Sequence, residues 1–297
     1  MRLISWNTNR RTRLAGEQAR IILSRGPDLV CLQEITDFSI EAFRTAFSAG
    51  GLGHIGTTVD PQTAKRRGPR AFGVLVASKF PLLEDRAISF ALPWEEKAIS
   101  VVVRTPHGDV ELHNVHIPPG SSNGWMKVEI LEAVFAALSR RAHERPALLC
   151  GDFNTPQCEL SSGEIVTWAQ RIDPSGRICL KARIRRGPGD RWDAAERNIV
   201  SGLRQFGFRD VYRDLHGYAI NAPSWVLKRK GVLIGRRFDH LFASDHLKVA
   251  RCAYLDEWRL TGLSDHSALE TEVDLLGSDS WQTSTIPSSL ASPTDAV

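Results

Sequence analysis

Short apolar runs that finish on, or start from, a polar residue constrain this chain more than any other feature. Leu3-Ile4-Ser5-Trp6 leads to Asn7, and Val30-Cys31-Leu32-Gln33 leads to Glu34. Val115 leads to His116, and Leu148-Leu149-Cys150-Gly151 to Asp152 and Asn154. Asp239 opens His240-Leu241-Phe242-Ala243, and Asp265-His266 opens Ser267-Ala268-Leu269. Apolar runs of this length read as strands buried on both faces. In an α/β sheet, polar residues at such strand ends border a crevice, where a rigid floor can hold them toward a ligand.

Between the runs the periodicity becomes helical. Leu14–Arg25 spaces Ala15, Ala19 and Ile22 along one face and stops at Gly26-Pro27. Ser39–Ser48, Trp125–His143 and Trp192–Phe206 read the same way. From Ala71 to His116 the character is β, with strands expected at Phe72–Ala77, Ala87–Phe90, Ile99–Arg104 and Val110–Val115. Further strands are expected at Ser224–Leu227, Phe238–Ala243, Val249–Leu255 and Ala268–Val273. Residues 155–190, rich in Gly, Ser, Pro and Arg, read as irregular, while Trp125, Trp192 and Trp258 read as core. No repeat or linker divides the chain. One domain over residues 1–276 is expected, then a Ser/Thr/Pro-rich tail, 277–297, expected to be disordered.

Composition removes other classes. With 297 residues, 42% hydrophobic and 24% charged, the chain can bury a large core and is no coiled coil, collagen-like rod or wholly disordered protein. No apolar stretch nears the roughly 20 residues of a membrane span. Met1–Arg10 lacks an apolar signal core, so a cytoplasmic protein without a membrane partner is expected. Five scattered cysteines without a CxxC pair point to a reducing compartment and away from structural zinc. Net charge is +4, and cations cluster at Lys65–Arg70, Arg183–Arg186, Lys228–Lys230 and Arg236-Arg237. Such clusters suit a polyanionic partner, and equally suit solvated loops.

Asn7 in Ser5-Trp6-Asn7, Glu34 in Leu32-Gln33-Glu34, Gly151-Asp152-Phe153-Asn154 and Ser264-Asp265-His266 stand in the order and wide spacing of a known superfamily. From Asn7 to His266 the chain resembles the endonuclease/exonuclease/phosphatase superfamily. That group includes DNase-I-like nucleases, exonuclease-III-like abasic-site endonucleases, sphingomyelinases and inositol polyphosphate phosphatases. The resemblance implies a DNase-I-like four-layer α/β sandwich, two packed mixed sheets flanked by helices. It also implies metal-dependent hydrolysis of nucleic-acid phosphodiesters, with DNA the expected substrate and a monomer the expected state. The same chemistry on a lipid head group or an inositol phosphate is one alternative. A non-catalytic nucleic-acid-binding relative is another, although such a protein has no need of a base, a metal ligand and a donor in register.

A phosphodiester repels nucleophiles, so its hydrolysis needs a cation on the oxygens, an activated water and donors aimed at the developing charge. On the resemblance, Glu34 is the leading ligand for Mg²⁺, or Mn²⁺, with Asn7 close by and Asp265 as its partner. Asp152 becomes the general base or the group that orients the water, and Asn154 fixes water and phosphate without adding charge. His266 would donate to a non-bridging oxygen while Asp239 holds its other ring nitrogen and keeps it cationic.

His116 departs from the exonuclease-III-like pattern, Tyr-x-Pro-Asn-Gly, by reading His116-Ile117-Pro118-Pro119-Gly120; it looks more like the DNase-I and phosphodiesterase branches. As a donor toward the leaving oxygen, a histidine there would make activity pH-sensitive near neutrality. Trp192–Arg197 and Phe208–Arg213 are similar to segments of exonuclease-III-like proteins. Glu34-Ile35-Thr36 lacks the basic residue that follows in repair enzymes, which weakens an abasic-site assignment. Arg70, Trp225, Arg236 and Arg237 are the candidates for nucleic-acid contacts, through stacking and phosphate neutralisation.

Overall fold

The computed structural model describes residues 1–59, 67–83, 87–141 and 145–274. The expected tail, 277–297, and the cluster members Lys65 and Arg66 lie outside the described residues.

β1 (Arg2–Asn7) runs through α1 (Ala15–Leu23) to its parallel neighbour β2 (Leu29–Thr36). After α2 (Ile40–Ala49) come β3 (His54–Thr57) and β4 (Phe72–Ser78), with β4 antiparallel to both β2 and β3. A second sheet repeats the plan. β5 (Leu82–Leu83), β6 (Ala98–Thr105) and β7 (Gly108–His116) form a meander, and α3 (Gly120–Asn123) and α4 (Met126–Ser139) carry the chain to β8 (Ala147–Asp152), parallel to β7. Each parallel pair is bridged by helix, as a crossover requires.

Three short hairpins occupy the stretch that reads as irregular. They are β9 (Cys158–Glu159) with β10 (Ile165–Val166), β11 (Gln170–Ile172) with β12 (Ile178–Leu180), and β13 (Arg183–Ile184) with β14 (Gly187–Pro188). Strands of two or three residues are too short to show a period of two. α5 (Gly189–Val200), β15 (Phe208–Asp210) and α6 (Val211–His216) lead to a fourth hairpin, β16 (Trp225–Arg229) with β17 (Val232–Arg236). β18 (Asp239–Ser244) then joins the second sheet, while β19 (Lys248–Leu255), α7 (Asp256–Leu260) and β20 (Ala268–Asp274) complete the first. The sheet orders are β19-β20-β1-β2-β4-β3 and β15-β18-β8-β7-β6-β5.

Two element expectations need correction. Ala87–Phe90 forms no strand; Phe90 packs into the helix-side core instead of joining a ladder. The helix expected over Trp192–Phe206 starts at Gly189 and ends at Val200, and Gly202–Phe206 continues as a 3₁₀ turn.

Alternating side chains stack these elements in four layers. Leu3, Cys31, Val74 and Val76 meet Val101, Leu112, Leu148, Cys150 and Leu241 between the sheets. The outer residues of the first sheet, Ile4, Trp6, Val30 and Leu32, pack with Ala19, Ile22, Phe43 and Trp258 from the helices. Those of the second, Val115 and Leu149, pack with Leu131, Val134, Trp192 and Ile199. This is the DNase-I-like sandwich the resemblance implies. No helix among the described residues is long and apolar enough to cross a membrane.

Candidate active site

A period of two decides what reaches the inter-sheet face at the strand ends. Leu3, Ser5 and Asn7 share one face of β1; Leu112, Asn114 and His116 share one of β7; Leu148, Cys150 and Asp152 share one of β8. In register, His116 and Asp239 flank Asp152 on the two neighbouring strands. The apolar inner core therefore gives way, at one edge, to a buried row of ionisable groups. Just beneath, Gln33 Nε2 donates to Asn114 Oδ1 at 2.7 Å, and Asn114 Nδ2 donates to the carbonyls of Leu32 and Leu75 at 3.0 and 2.9 Å. This polar bolt ties the two sheets together below the site. Sequence reading missed it because buried amides look like any other polar residue until the sheets face each other.

Simple alternation would turn Glu34 outward with Val30 and Leu32. A bulge between Gln33 and Ile35, with φ of 60° at Glu34, reverses this. Bulges re-aim side chains in this manner. Glu34 Oε1 lies 3.6 Å from His116 Nε2, and Oε2 lies 3.0 Å from Arg10 Nε. Burial raises the Glu34 carboxyl above its usual range; Arg10 and His266 oppose the rise and Asp265 adds to it.

The Gly151-Asp152-Phe153-Asn154 motif has local reasons for its residue types. Gly151 has φ of 140°, and a Cβ there would sit 1.9 Å from the Val115 carbonyl oxygen, so no other residue fits. Asp152 accepts from Asn7 Nδ2 at 2.8 Å, from the Asn154 backbone N–H at 2.9 Å and from Asn154 Nδ2 at 3.2 Å. Asn154, at φ of 50°, is held from behind: its carbonyl accepts from Lys127 Nζ at 2.9 Å and Trp168 Nε1 at 3.0 Å. Burial drives the Asp152 carboxyl up to about 8, with the Asp239 charge contributing and His266 opposing.

His266 Nδ1 bonds Asp239 Oδ2 at 2.7 Å, and its Nε2 faces Asp152 Oδ2 at 3.8 Å. The backbone around it is pinned: Trp6 Nε1 donates to its carbonyl, and Ser264 Oγ accepts from its N–H while donating to the Asn7 carbonyl. Burial works against charge on His266, yet the carboxylates of Asp239 and Asp152 outweigh it and raise the imidazole to about 10. Asp239 is bonded to the ring nitrogen that the sequence reading assigned to it. His116 behaves oppositely. Burial, with the charges of Lys97, His266 and Arg10, holds it well below its ordinary value. The ring packs on Phe72 at 5.4 Å.

The donor set fits a divalent cation. The carboxyls of Asp152, buried, and Glu34, partly buried, are held above their ordinary range, and a cation among them would relieve that crowding. Glu34, Asp265, Asp152 and the Asn7 amide offer the hard oxygen donors that suit Mg²⁺ or Mn²⁺. Asp152, Asp239 and His266 also bring one ligand atom each within 4.8 Å. A metal-binding imidazole must be neutral, whereas the neighbouring carboxylates favour the charged form of His266. Within that trio the Asp239–His266 bond forms an ion pair, while the carboxyls around Glu34 could hold a cation.

All of these residues border, or directly support, a cleft of about 510 Å³. Trp225 lines it and donates from Nε1 to Asp265 Oδ2 at 3.1 Å, with Phe238 stacked on it at 5.4 Å. The other three nucleic-acid candidates stand elsewhere. Arg237 is corrected outright: its guanidinium is buried and binds Glu159 at 2.8 Å and Asp210 at 2.6 Å, a structural role that leaves nothing for phosphate. Arg70 forms a two-pronged bond to Glu96, both contacts at 2.9 Å, away from the cleft wall. Arg236 sits over the Trp168 ring at 5.9 Å and lines an adjacent hollow. The cleft also takes Arg10, Trp168 and Lys181, which the sequence did not single out, and Arg185, seen there only as part of a basic run. Arg10 carried a weak signal, since it follows the β1 end so closely; the other three come from the stretch of hairpins and their connections that reads as irregular.

The family model described as Endonuclease/Exonuclease/phosphatase family matches residues 4–266. No curated protein matches the chain by sequence. Among solved structures, an AP endonuclease from Archaeoglobus fulgidus is 20% identical with a TM-score of 0.66, covering 92% of this chain and 99% of that one. A 3' phosphatase from Neisseria bound to product DNA hairpin is 21% identical at 0.61, covering 92% and 99%. D. rerio TDP2 complexed with single strand DNA product is 16% identical at 0.61, covering 92% and 98%. At these identities the likeness is one of fold.

Proposed function

The chain belongs to the endonuclease/exonuclease/phosphatase family, and on that footing we propose that it is a divalent-metal-dependent phosphodiesterase that hydrolyses nucleic acid, DNA in the first instance. One observation carries the reading. Asp152 stands between a cationic His266–Asp239 pair and the amide donors of Asn7 and Asn154, and opens with Glu34 onto one cleft.

Asp152 takes the proton of the attacking water, and a carboxyl raised to about 8 is matched to that task near neutrality. Asn7 and Asn154 keep the carboxylate in one orientation. His266 Nε2–H meets the charge that develops on a non-bridging oxygen, and Asp239 maintains that charge state. His116, neutral and buried, serves the leaving oxygen as a hydrogen-bonding group. Glu34 and Asp265 would hold a divalent cation, which would supply charge neutralisation at the phosphate when bound. Trp168, Trp225 and Phe238 suit bases, and Lys181 and Arg185 suit backbone phosphates. The similar solved proteins, an AP endonuclease, a 3' phosphatase bound to DNA and a protein carrying single strand DNA product, support a nucleic-acid substrate. A monomeric cytoplasmic protein belongs to the same proposal, consistent with its free thiols.

The test is a plasmid-nicking and abasic-oligonucleotide assay in Mg²⁺ against EDTA, with sphingomyelin and a generic bis-phosphodiester alongside. Asp152→Ala and Glu34→Ala should each lose about 10²–10⁴ in rate while keeping the wild-type circular dichroism. Cleavage of the lipid or the small ester alone would refute the nucleic-acid reading. An Asp152→Ala enzyme as fast as wild type would refute the mechanism.

A further inference from the structure

The basic run Arg183-Ile184-Arg185-Arg186 has a shape that the phosphodiesterase reading does not itself require. β13 and β14 are joined by Arg185 and Arg186, with φ of 49° and 68°. A two-residue turn with both φ values positive is ordinarily built from Asn-Gly or Gly-Gly, because a Cβ is crowded there. Here two arginines take those positions, and packing holds them. Trp125 Nε1 donates to the Arg185 carbonyl at 3.1 Å, and the Arg185 guanidinium donates to the Ser121 carbonyl. Gly187 lies so close under the Trp125 ring that a Cβ would approach it to 1.9 Å.

This braced turn aims charge into the cleft. Arg185 lines it together with Lys181, whose Nζ donates to the Trp168 carbonyl at 2.7 Å. Trp168 in turn holds the Asn154 carbonyl, so the cationic wall is mechanically continuous with the Asp152 site. Among the described residues, neither Lys181 nor Arg185 has a carboxylate within ion-pair distance, whereas Arg10 on the opposite wall is paired with Glu34. Strained backbone that is over-determined by its surroundings clusters at ligand clamps. Unpaired cations in a cleft attract anions, and a polynucleotide offers phosphates at every step.

We propose that Lys181 and Arg185 form a subsite for a second phosphate of the substrate strand, adjacent to the one that is hydrolysed. The inference rests on the phosphodiesterase reading and goes beyond it: a substrate that carries at least two phosphates along one strand binds more tightly than one that carries a single phosphate, and the hairpin region sets that preference.

The experiment compares a single-stranded oligonucleotide with bis(4-nitrophenyl) phosphate, which has one phosphate. Lys181→Gln and Arg185→Gln should each raise KM for the oligonucleotide about tenfold, with kcat changed less than about threefold, as for loss of one charge-assisted contact. The fall of log(kcat/KM) with log salt should become shallower by about 0.7 per variant. Arg185→Lys should restore most of the KM, and Arg186→Gln, in the same turn but off the cleft, should behave as wild type. On the small ester the KM shift should be at least threefold smaller than on the oligonucleotide. A double variant with wild-type KM and salt slope on the oligonucleotide would overturn the subsite, as would equal shifts on both substrates. A wild-type enzyme that cuts the small ester and no polynucleotide would instead overturn the functional reading from which the subsite follows.

Discussion

Asp152 shows how far one burial can move a side chain's chemistry. Its carboxyl rises to about 8 in the fold, against about 4 in an unfolded chain. The protonated form is therefore the one the fold favours. The stabilisation is complete below about pH 4 and erodes as pH climbs to about 8. Metal-free wild type should lose stability across that window, on the order of a few kcal/mol, while Asp152→Asn should show a flatter profile. Denaturant midpoints measured in EDTA from pH 4 to 8 check this, and parallel profiles would count against it. His266 runs the other way. Raised to about 10, it stays cationic through neutrality, so the alkaline limb it imposes on kcat/KM falls near pH 10. Asp239→Asn removes its bonded carboxylate and should bring that limb down by about one unit or more. A pH–rate profile with the limb unmoved would show that Asp239 does not set the charge.

At the scale of elements, the site depends on a charge pair buried between two helices. Lys127 on α4 and Glu196 on α5 form a fully buried ion pair. Glu196 also accepts from Trp192 Nε1 at 2.8 Å and from the Trp168 backbone N–H at 2.9 Å, and Lys127 holds the Asn154 carbonyl. Two helices, the turn at Trp168 between the first two hairpins and the Gly151–Asn154 motif are thereby clamped through a single pair of charges. Removing one partner from such a pair leaves a buried charge uncompensated and costs about 3–5 kcal/mol. Lys127→Met should show that loss in chemical denaturation, and Lys127→Met with Glu196→Leu should recover part of it. The Glu34 bulge works at the same scale. One extra residue in β2 turns a side chain that alternation would leave on the helix side into the cleft.

At the scale of the molecule, the cleft exists because two similar sheets, each with one helix-bridged parallel pair, meet face to face with their polar ends aligned. Most carboxylates of the site come from different strands, so a cation bound among them ties both sheets and should stabilise the whole fold. At a hundred times its Kd, Mg²⁺ should add about 2.7 kcal/mol. Thermal melts with and without EDTA check this, and Glu34→Ala should abolish the gain. The strand ends were legible in the sequence, because apolar runs and the polar residues that follow them are properties of neighbours in the chain. That legibility gave Asn7, Glu34, His116, Asp152, Asp239 and His266 as residues of interest and the α/β class. It could not show that Arg237 is buried against Glu159 and Asp210, that His116 is neutral, or that residues 155–190 wall the cleft with Trp168, Lys181 and Arg185. Charge state, partner and exposure depend on groups tens to hundreds of positions away. Local pattern determined which residues this protein has for chemistry and which strands would carry them. Only the packing of one sheet on the other decided which of those residues are paired, which are charged and which face the cleft, because burial and electrostatic interaction are properties of distance in space.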